Sequence, residues 1–301
     1  MVRDLQHIEK DLESLESQVN SIALQLETVG QEYMEILGDT LQKQLIFSVY
    51  QICTQEYPQA FLNLSLSQQQ QLQKKIRDLG KEAKDNLNLG GEILNQVQFN
   101  EEESENILSE AWESNNNSEP SLNTEINTEA LKKILQEQEK ETHPITEEGN
   151  PEKVMAWSSL REEATVMILE NVSSQANEIL QDMNVLPQDL PKEMIDAAIQ
   201  SEGAGSMSNR APGVLHLMLE MERNKRQERD ESEEEEVMQL TILRLRVAEL
   251  EFAAPSLNTK RRELRTLEQQ LQQFNQQYLK LHKERSIAQA ELAWRSSWHE
   301  D

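Results

Sequence analysis

Apolar residues in the first forty positions recur in alternating steps of three and four. Leu5, Ile8, Leu12, Leu15, Val19, Ile22, Leu26, Val29, Tyr33 and Ile36 form two interleaved heptad positions, with Glu, Gln, Ser and Asn between them. A 3.5-residue period held over more than four heptads predicts one continuous helix carrying a left-handed coiled-coil seam. Gly30 falls inside it and is expected to weaken the helix by about 1 kcal/mol relative to Ala. From Leu41 through Leu45, Val49 and Ile52, with Ile46 and Phe47 alongside, the stripe is broader than a two-position seam. That width predicts burial in a small helical bundle. Pro58 stops or restarts the helix. Ser67 with Gln70 reads as a capping box for a helix that carries Leu72, Ile76 and Leu79 and ends at Gly80, and Gly90-Gly91 reads as a turn.

The periodicity then lapses. Between Glu101 and Glu148, 14 acids stand against Lys132, Lys133 and Lys140, and Asn115-Asn116-Asn117-Ser118-Glu119-Pro120 has nothing to bury. Such a stretch does not offset its own ordering entropy and reads as a disordered acidic linker, with a transient helix at Glu129–Glu139. Helical spacing returns after Asn150-Pro151, an N-cap followed by proline at the first helical position. Val154, Trp157, Leu160, Ala164, Met167, Ile168, Val172, Ala176, Ile179, Leu180 and Met183 make its inward stripe. Leu186–Pro191 breaks the chain, a short helix follows at Lys192–Gln200, and Gly203–Ser206 is a turn. Pro212 is expected to open another helix with Val214, Leu217, Met218 and Met221 inward. Leu240, Leu243, Val247 and Leu250 step by 3, 4, 3, Phe252–Pro255 interrupts, and a long seam runs through Leu257, Leu264, Leu267, Leu271, Phe274, Tyr278 and Leu281, continued by Ala288 and Leu292. Two helices around a proline-containing break predict an antiparallel hairpin of Val237–Leu250 on Leu264–Leu281.

The expected fold class is therefore all-α. Residues 1–98 form an N-terminal coiled coil and small helical bundle, 99–149 an acidic linker, 150–236 a helical segment with an acidic run, and 237–301 a long helical hairpin. Composition narrows the function. Hydrophobic residues make up 37% and aromatics 4%, which is lean core material for 301 residues. A net charge of −26 repels phosphate backbones and anionic membrane surfaces alike. The Lys260-Arg261-Arg262 stretch with Arg265 is the local exception. No run of about 18 apolar residues is present to span a bilayer. Met1 leads into a polar helix without the apolar core of a signal peptide, and Cys53 has no partner, so a cytoplasmic location is expected. Cys53 stands in apolar Val49–Cys53 and reads as a buried small hydrophobe.

No catalytic constellation emerges. His7, His143, His216, His282 and His299 are scattered, with no ligand-spaced pair on one helix. The glycine pairs lack the lysine and spacing of a phosphate loop. The acids of Glu228–Glu236 lack the alternation and glycine of a calcium loop and read as a solvated run. Neither cofactor nor metal is expected, nor enzymatic activity. Trp294 and Trp298 lie four residues apart on one face of the last helix, off the seam through Leu292, and are candidate anchors for a partner.

Three stretches, Leu186–Ala198 (LPQDLPKEMIDAA), Ala248–Pro255 (AELEFAAP) and Ala293–Asp301 (AWRSSWHED), resemble uncharacterised helical coiled-coil proteins of cyanobacterial type. The resemblance covers about a third of the chain and implies a bacterial cytoplasmic setting and no activity. The expected function is a non-enzymatic scaffold or adaptor for protein partners that forms homo-oligomers. Its self-association seam is Leu5, Ile8, Leu12, Leu15, Val19, Ile22, Leu26 and Val29 with Leu264, Leu267, Leu271, Phe274, Tyr278 and Leu281. The alternatives are a chaperone-like binder that leaves these seams open to a client, and a nucleic-acid-associated protein using Lys260–Arg265.

Overall fold

Helix α1 runs unbroken from Leu5 to Gln51, forty-seven residues without a proline. The computed structural model describes residues 4–96, 149–188, 192–200, 212–220 and 237–297. Along α1 the buried positions are single at first: Ile8, Leu12, Leu15 and Val19. From Ile22-Ala23 onward adjacent pairs join the single positions, such as Tyr33-Met34, Gln44-Leu45 and Ser48-Val49. Neighbouring residues point about 100° apart on a helix, so α1 is covered on two faces from residue 22. The broadening expected near Leu41 thus begins some twenty residues earlier.

The helix loosens into a π-helical turn at Ile52–Glu56, where the Tyr57 amide donates to the Ile52 carbonyl at 2.8 Å. Pro58 then starts the single-turn α2, Pro58–Leu62. Helix α3 spans Leu66–Gln96. Its capping box is Ser65 with Gln68, not the expected Ser67 with Gln70. The Ser65 amide donates to Gln68 Oε1 at 2.9 Å, and the Gln68 amide returns to Ser65 Oγ at 3.3 Å. The helix also continues through Gly80 and Gly90-Gly91, where an end and a turn are expected from the sequence. Gly80 has a packing reason: a side chain there would press on Gln42 and Leu45 of α1.

Helix α4 covers Pro151–Asp182, and the Asn150 side chain caps it by accepting from the Glu152 amide at 2.9 Å. Helix α5 is Lys192–Gln200. The next two elements correct the sequence reading. Residues expected to be helical form strands β1, Val214–Glu220, and β2, Val237–Leu243, paired antiparallel with Val214 opposite Leu243 and Glu220 opposite Val237. Only the short α6, Val247–Ala253, remains of the expected first arm of a helical hairpin. Helix α7 completes the chain over Pro255–Ser297. The class is all-α, with one small two-stranded sheet among the described residues. The expected linker, its transient helix, the Gly203–Ser206 turn and the Glu228–Glu236 run lie outside the described residues, apart from Gly149.

The chain divides into two units, each drawn from separated stretches of sequence. The first takes Met1–Tyr33, Leu89–Glu163 and Thr259–Asp301. In it α4 runs parallel to α1: the Gly149 amide donates to Asn20 Oδ1 at 2.8 Å, and Arg161 reaches the Leu26 carbonyl at 3.2 Å. Helix α7 runs antiparallel to both. Lys260 meets Glu32, Ser158 meets Glu268, and Ala288 packs on Ile8 and Leu12.

The second unit takes Met34–Asn88 and Ala164–Asn258. Here α3 folds back antiparallel on α1, with Lys84 Nζ 2.7 Å from Asp39. The β-hairpin rests its inner residues Leu215, Leu240 and Ile242 on Ile195 and Ile199 of α5. The outer edge of β2 is closed by side chains. Tyr57 Oη accepts from the Thr241 amide at 2.9 Å and donates to the Thr241 carbonyl at 3.2 Å. Asn177 pairs with both the amide and the carbonyl of Leu243, each at 2.8 Å, and Ser173 Oγ accepts from the Leu245 amide at 2.9 Å. Before β1, the Pro212 carbonyl accepts from Gln44 Nε2 at 2.6 Å and Ser48 Oγ at 3.1 Å. These polar residues substitute for the neighbouring strands that a sheet edge otherwise seeks.

Candidate functional site

A polar cluster forms where β2 meets the π-helical turn. Thr241 Oγ1 donates to Glu56 Oε2 at 3.0 Å and lies 2.8 Å from His216 Nδ1. With its one hydrogen given to the carboxylate, the hydroxyl accepts from His216 Nδ1–H. Glu56 Oε2 and His216 Nδ1 are 3.6 Å apart, so a protonated His216 adds an ion pair. Burial pushes the Tyr57 phenol up. Thr241 is 2% exposed, with its backbone held by Tyr57 and its hydroxyl bonded to two neighbours. The cluster fastens the hairpin to the end of α1, and a substrate cannot meet the hydroxyl without displacing those bonds.

A second cluster is cationic. Arg161 is 4% exposed, stacks its guanidinium 4.7 Å from the centre of the Trp157 ring, and donates to Leu26 O. Burial pulls its pKa down and the charges of Glu268 and Glu162 oppose that shift. Gly30 makes the room: a Cβ there would lie 2.7 Å from Arg161 Cζ. The apolar pattern of α4 gave no sign of this residue, because a polar side chain is skipped when an inward stripe is read.

The basic stretch is partly spent inside the fold. Lys260 Nζ lies 2.7 Å from Glu32 and 2.8 Å from Glu263, and Arg261 pairs with Glu162. Arg262 and Arg265 are exposed. Of the histidines, His7 is exposed near Asp4, while His143 and His299 lie outside the described residues. His282 stacks at 4.2 Å on Tyr278, and burial together with the Arg285 charge lowers its pKa. No group of three His, Cys, Asp or Glu that could hold a metal occurs among the described residues, and none of their helices is long and apolar enough to cross a membrane. Cys53 is buried, and burial raises its thiol pKa to about 12.

The seam residues fall within the chain's own core. Ile8, Leu12, Leu15, Val19, Ile22, Leu26, Leu264 and Leu271 are buried. Leu5, Val29, Leu267, Phe274, Tyr278 and Leu281 are half-buried. Leu5, Ile8 and Leu12 meet Tyr278, Leu281 and Ala288 directly, so the two stretches singled out by their heptads cover each other within one molecule. Leu292, expected to continue the seam, is exposed instead. Large apolar side chains are also exposed in this unit, Leu24 on α1 and several on the outer side of α7. Leu279 is 51% exposed, Ile287 46% and Trp294 66%, and Ala290 beside them is exposed too. At 100° per residue Leu279, Ile287 and Trp294 fall within about 80° of one another. Trp298 lies outside the described residues. Comparison with protein-family models, curated proteins and solved structures finds no match.

Proposed function

We propose that the protein is a non-enzymatic helical scaffold of the cytoplasm that binds a protein partner through the outer face of α7. The observation that carries this reading is the second apolar stripe, Leu279, Ile287 and Trp294, exposed on a helix whose inner face is already covered. A tryptophan at the end of such a stripe suits an interface anchor, because it adds large apolar area with few torsions to fix. A chaperone-like binder needs its seams open, whereas Ile8, Leu12 and Leu271 are closed. A nucleic-acid role needs free cations, whereas Lys260 and Arg261 are engaged by carboxylates.

The test places a photo-crosslinking residue at Ile287 and, as control, at Ser17 on the exposed side of α1. Irradiation in the native cell is expected to yield a discrete protein adduct from position 287, absent from position 17 and lost with Trp294→Glu. No adduct at 287 in a protein of normal helicity refutes the reading.

A further inference from the structure

We propose that His282 and Arg285 form a proton-operated latch on α7: the neutral imidazole holds the guanidinium, and a proton at Nδ1 releases it and leaves the imidazolium to Glu16 of α1 and Glu152 of α4. The latch is independent of the proposed partner face, because Arg285 and Ile287 leave the helix about 160° apart.

The geometry fixes the neutral state. Arg285 Nη2 stands 3.1 Å from His282 Nδ1. A guanidinium only donates, so Nδ1 is the acceptor and the ring hydrogen is on Nε2. Nε2 is buried and has no acceptor among the described residues. One lone pair therefore serves either Arg285 or a proton, never both. The proton comes from solvent. The Arg285 N–H then loses its acceptor, faces a second cation, and turns out to water.

Charges act on His282 from three helices. Arg285 on α7 opposes the proton, while Glu16 on α1 and Glu152 on α4 favour it. Lys153 on α4 acts on Tyr278, whose phenol is pushed up by burial and stays neutral. Lys283 is exposed, and Glu284 leaves α7 about 160° from His282. Glu16 is held against the start of α4: a Cβ at Gly149, where φ is +62°, would lie 2.7 Å from Glu16 Cβ. The imidazolium thus has its counterions on two other helices, whereas the bond it gives up lay within its own. Burial, then the Arg285 charge, hold the His282 pKa below its ordinary value, so the latch opens on the acid side of about pH 6.5.

The experiment is 15N NMR of the full chain, labelled at histidine and arginine, from pH 7.5 to 5.0, with circular dichroism in parallel. The His282 signals are assigned by their loss in His282→Gln. Expected at pH 7.5 is the Nε2–H tautomer, followed by a titration with its midpoint below 6.5. The Arg285 Nε signal is expected to move with that same midpoint, and to stay still in His282→Gln. Arg285→Met is expected to raise the His282 midpoint, and Glu16→Gln and Glu152→Gln to lower it. An Nδ1–H tautomer at pH 7.5 overturns the latch, and so does an Arg285 signal that ignores the His282 titration. A midpoint unmoved by Arg285→Met shows that the ring does not hold the guanidinium and overturns it as well. Helicity lost with the same midpoint makes the change global unfolding and overturns it too.

Discussion

Replacing Gly30 by alanine separates two accounts of α1 by the sign of one measurement. If Gly30 were an ordinary helical glycine, Gly30→Ala would stabilise the protein by about 1 kcal/mol through helix propensity. Its surroundings predict the reverse. The added Cβ would sit 2.7 Å from Arg161 Cζ, and closer still to one of its nitrogens, so the guanidinium must move by more than 1 Å, on the order of the gap to ordinary van der Waals contact. Arg161 is 4% exposed and has no easy exit. Moving it strains its hydrogen bond to Leu26 O, and such bonds to charged groups contribute about 1.5–3 kcal/mol. It also disturbs the stacking on Trp157, a contact that contributes about 2 kcal/mol when desolvated. Partial loss of both, less the propensity gain, leaves a net destabilisation of about 2 kcal/mol. Urea unfolding followed by circular dichroism reads this as a lower midpoint at unchanged slope. In an Arg161→Ala background the obstacle is gone, and Gly30→Ala is expected to stabilise by about 1 kcal/mol, a coupling of about 3 kcal/mol in the double-mutant cycle. Stabilisation by Gly30→Ala alone, or the same cost in both backgrounds, refutes the reasoning.

Three further outcomes follow from single contacts. Asn177→Leu leaves the Leu243 amide and carbonyl without their partner, at about 1–3 kcal/mol each, and hydrogen exchange at Leu243 will accelerate well before α1 amides are affected. Cys53, whose thiol pKa is raised to about 12, will react with a disulfide reagent at pH 8 only as fast as the protein unfolds, and rapid native-state labelling would disprove its burial. His282 accepts at Nδ1 from Arg285 at 3.1 Å and has a lowered folded pKa, so as pH falls below about 6.5 the unfolded chain takes up the proton first; stability declines from there until the folded pKa is reached, and a pH 7.5 to 5.5 comparison will show a smaller decline in His282→Gln.

Long periodic helices were legible and short ambiguous runs were not. The spacing from Leu5 to Ile36 located α1 because ten apolar positions agree on one period. It also pointed to α7, and the two seams do meet, at Ile8 and Leu12 against Ala288. Val214–Glu220 and Val237–Leu243 are seven residues each, too short for period to separate strand from helix. Leu240, Leu243, Val247 and Leu250 fit a 3-4-3 step, yet the first two belong to a strand and the last two to a helix. What decides for strand arrives from far away: Tyr57 is 184 residues from Thr241, and Asn177 is 66 from Leu243. The buried polar residues Arg161, Ser173 and Asn177 were invisible for the same reason, since their meaning lies in partners that no local pattern names.

Those partners also explain how a chain with 37% hydrophobic and 4% aromatic residues fixes a sheet at all. A two-stranded hairpin is marginal in water, and this one rests on a modest apolar cluster of Ile195, Ile199, Leu215, Leu240 and Ile242. Burial on one face resists a slip of one residue, which would turn Leu240 and Ile242 to solvent, but discriminates less against a slip of two, which keeps the same face inward. Directed hydrogen bonds do choose. Tyr57 takes both backbone groups of Thr241, Asn177 takes both of Leu243, and Ser173 takes the amide of Leu245, so a shift of one residue would turn these groups away from their partners and leave buried polar atoms on both sides. The net gain of each bond is small while the cost of missing it is large. The helices consequently act on the hairpin as a template: the strands hold their register where Tyr57, just after the π-helical turn that follows α1, and Ser173 and Asn177, in the last third of α4, are presented at their spacing.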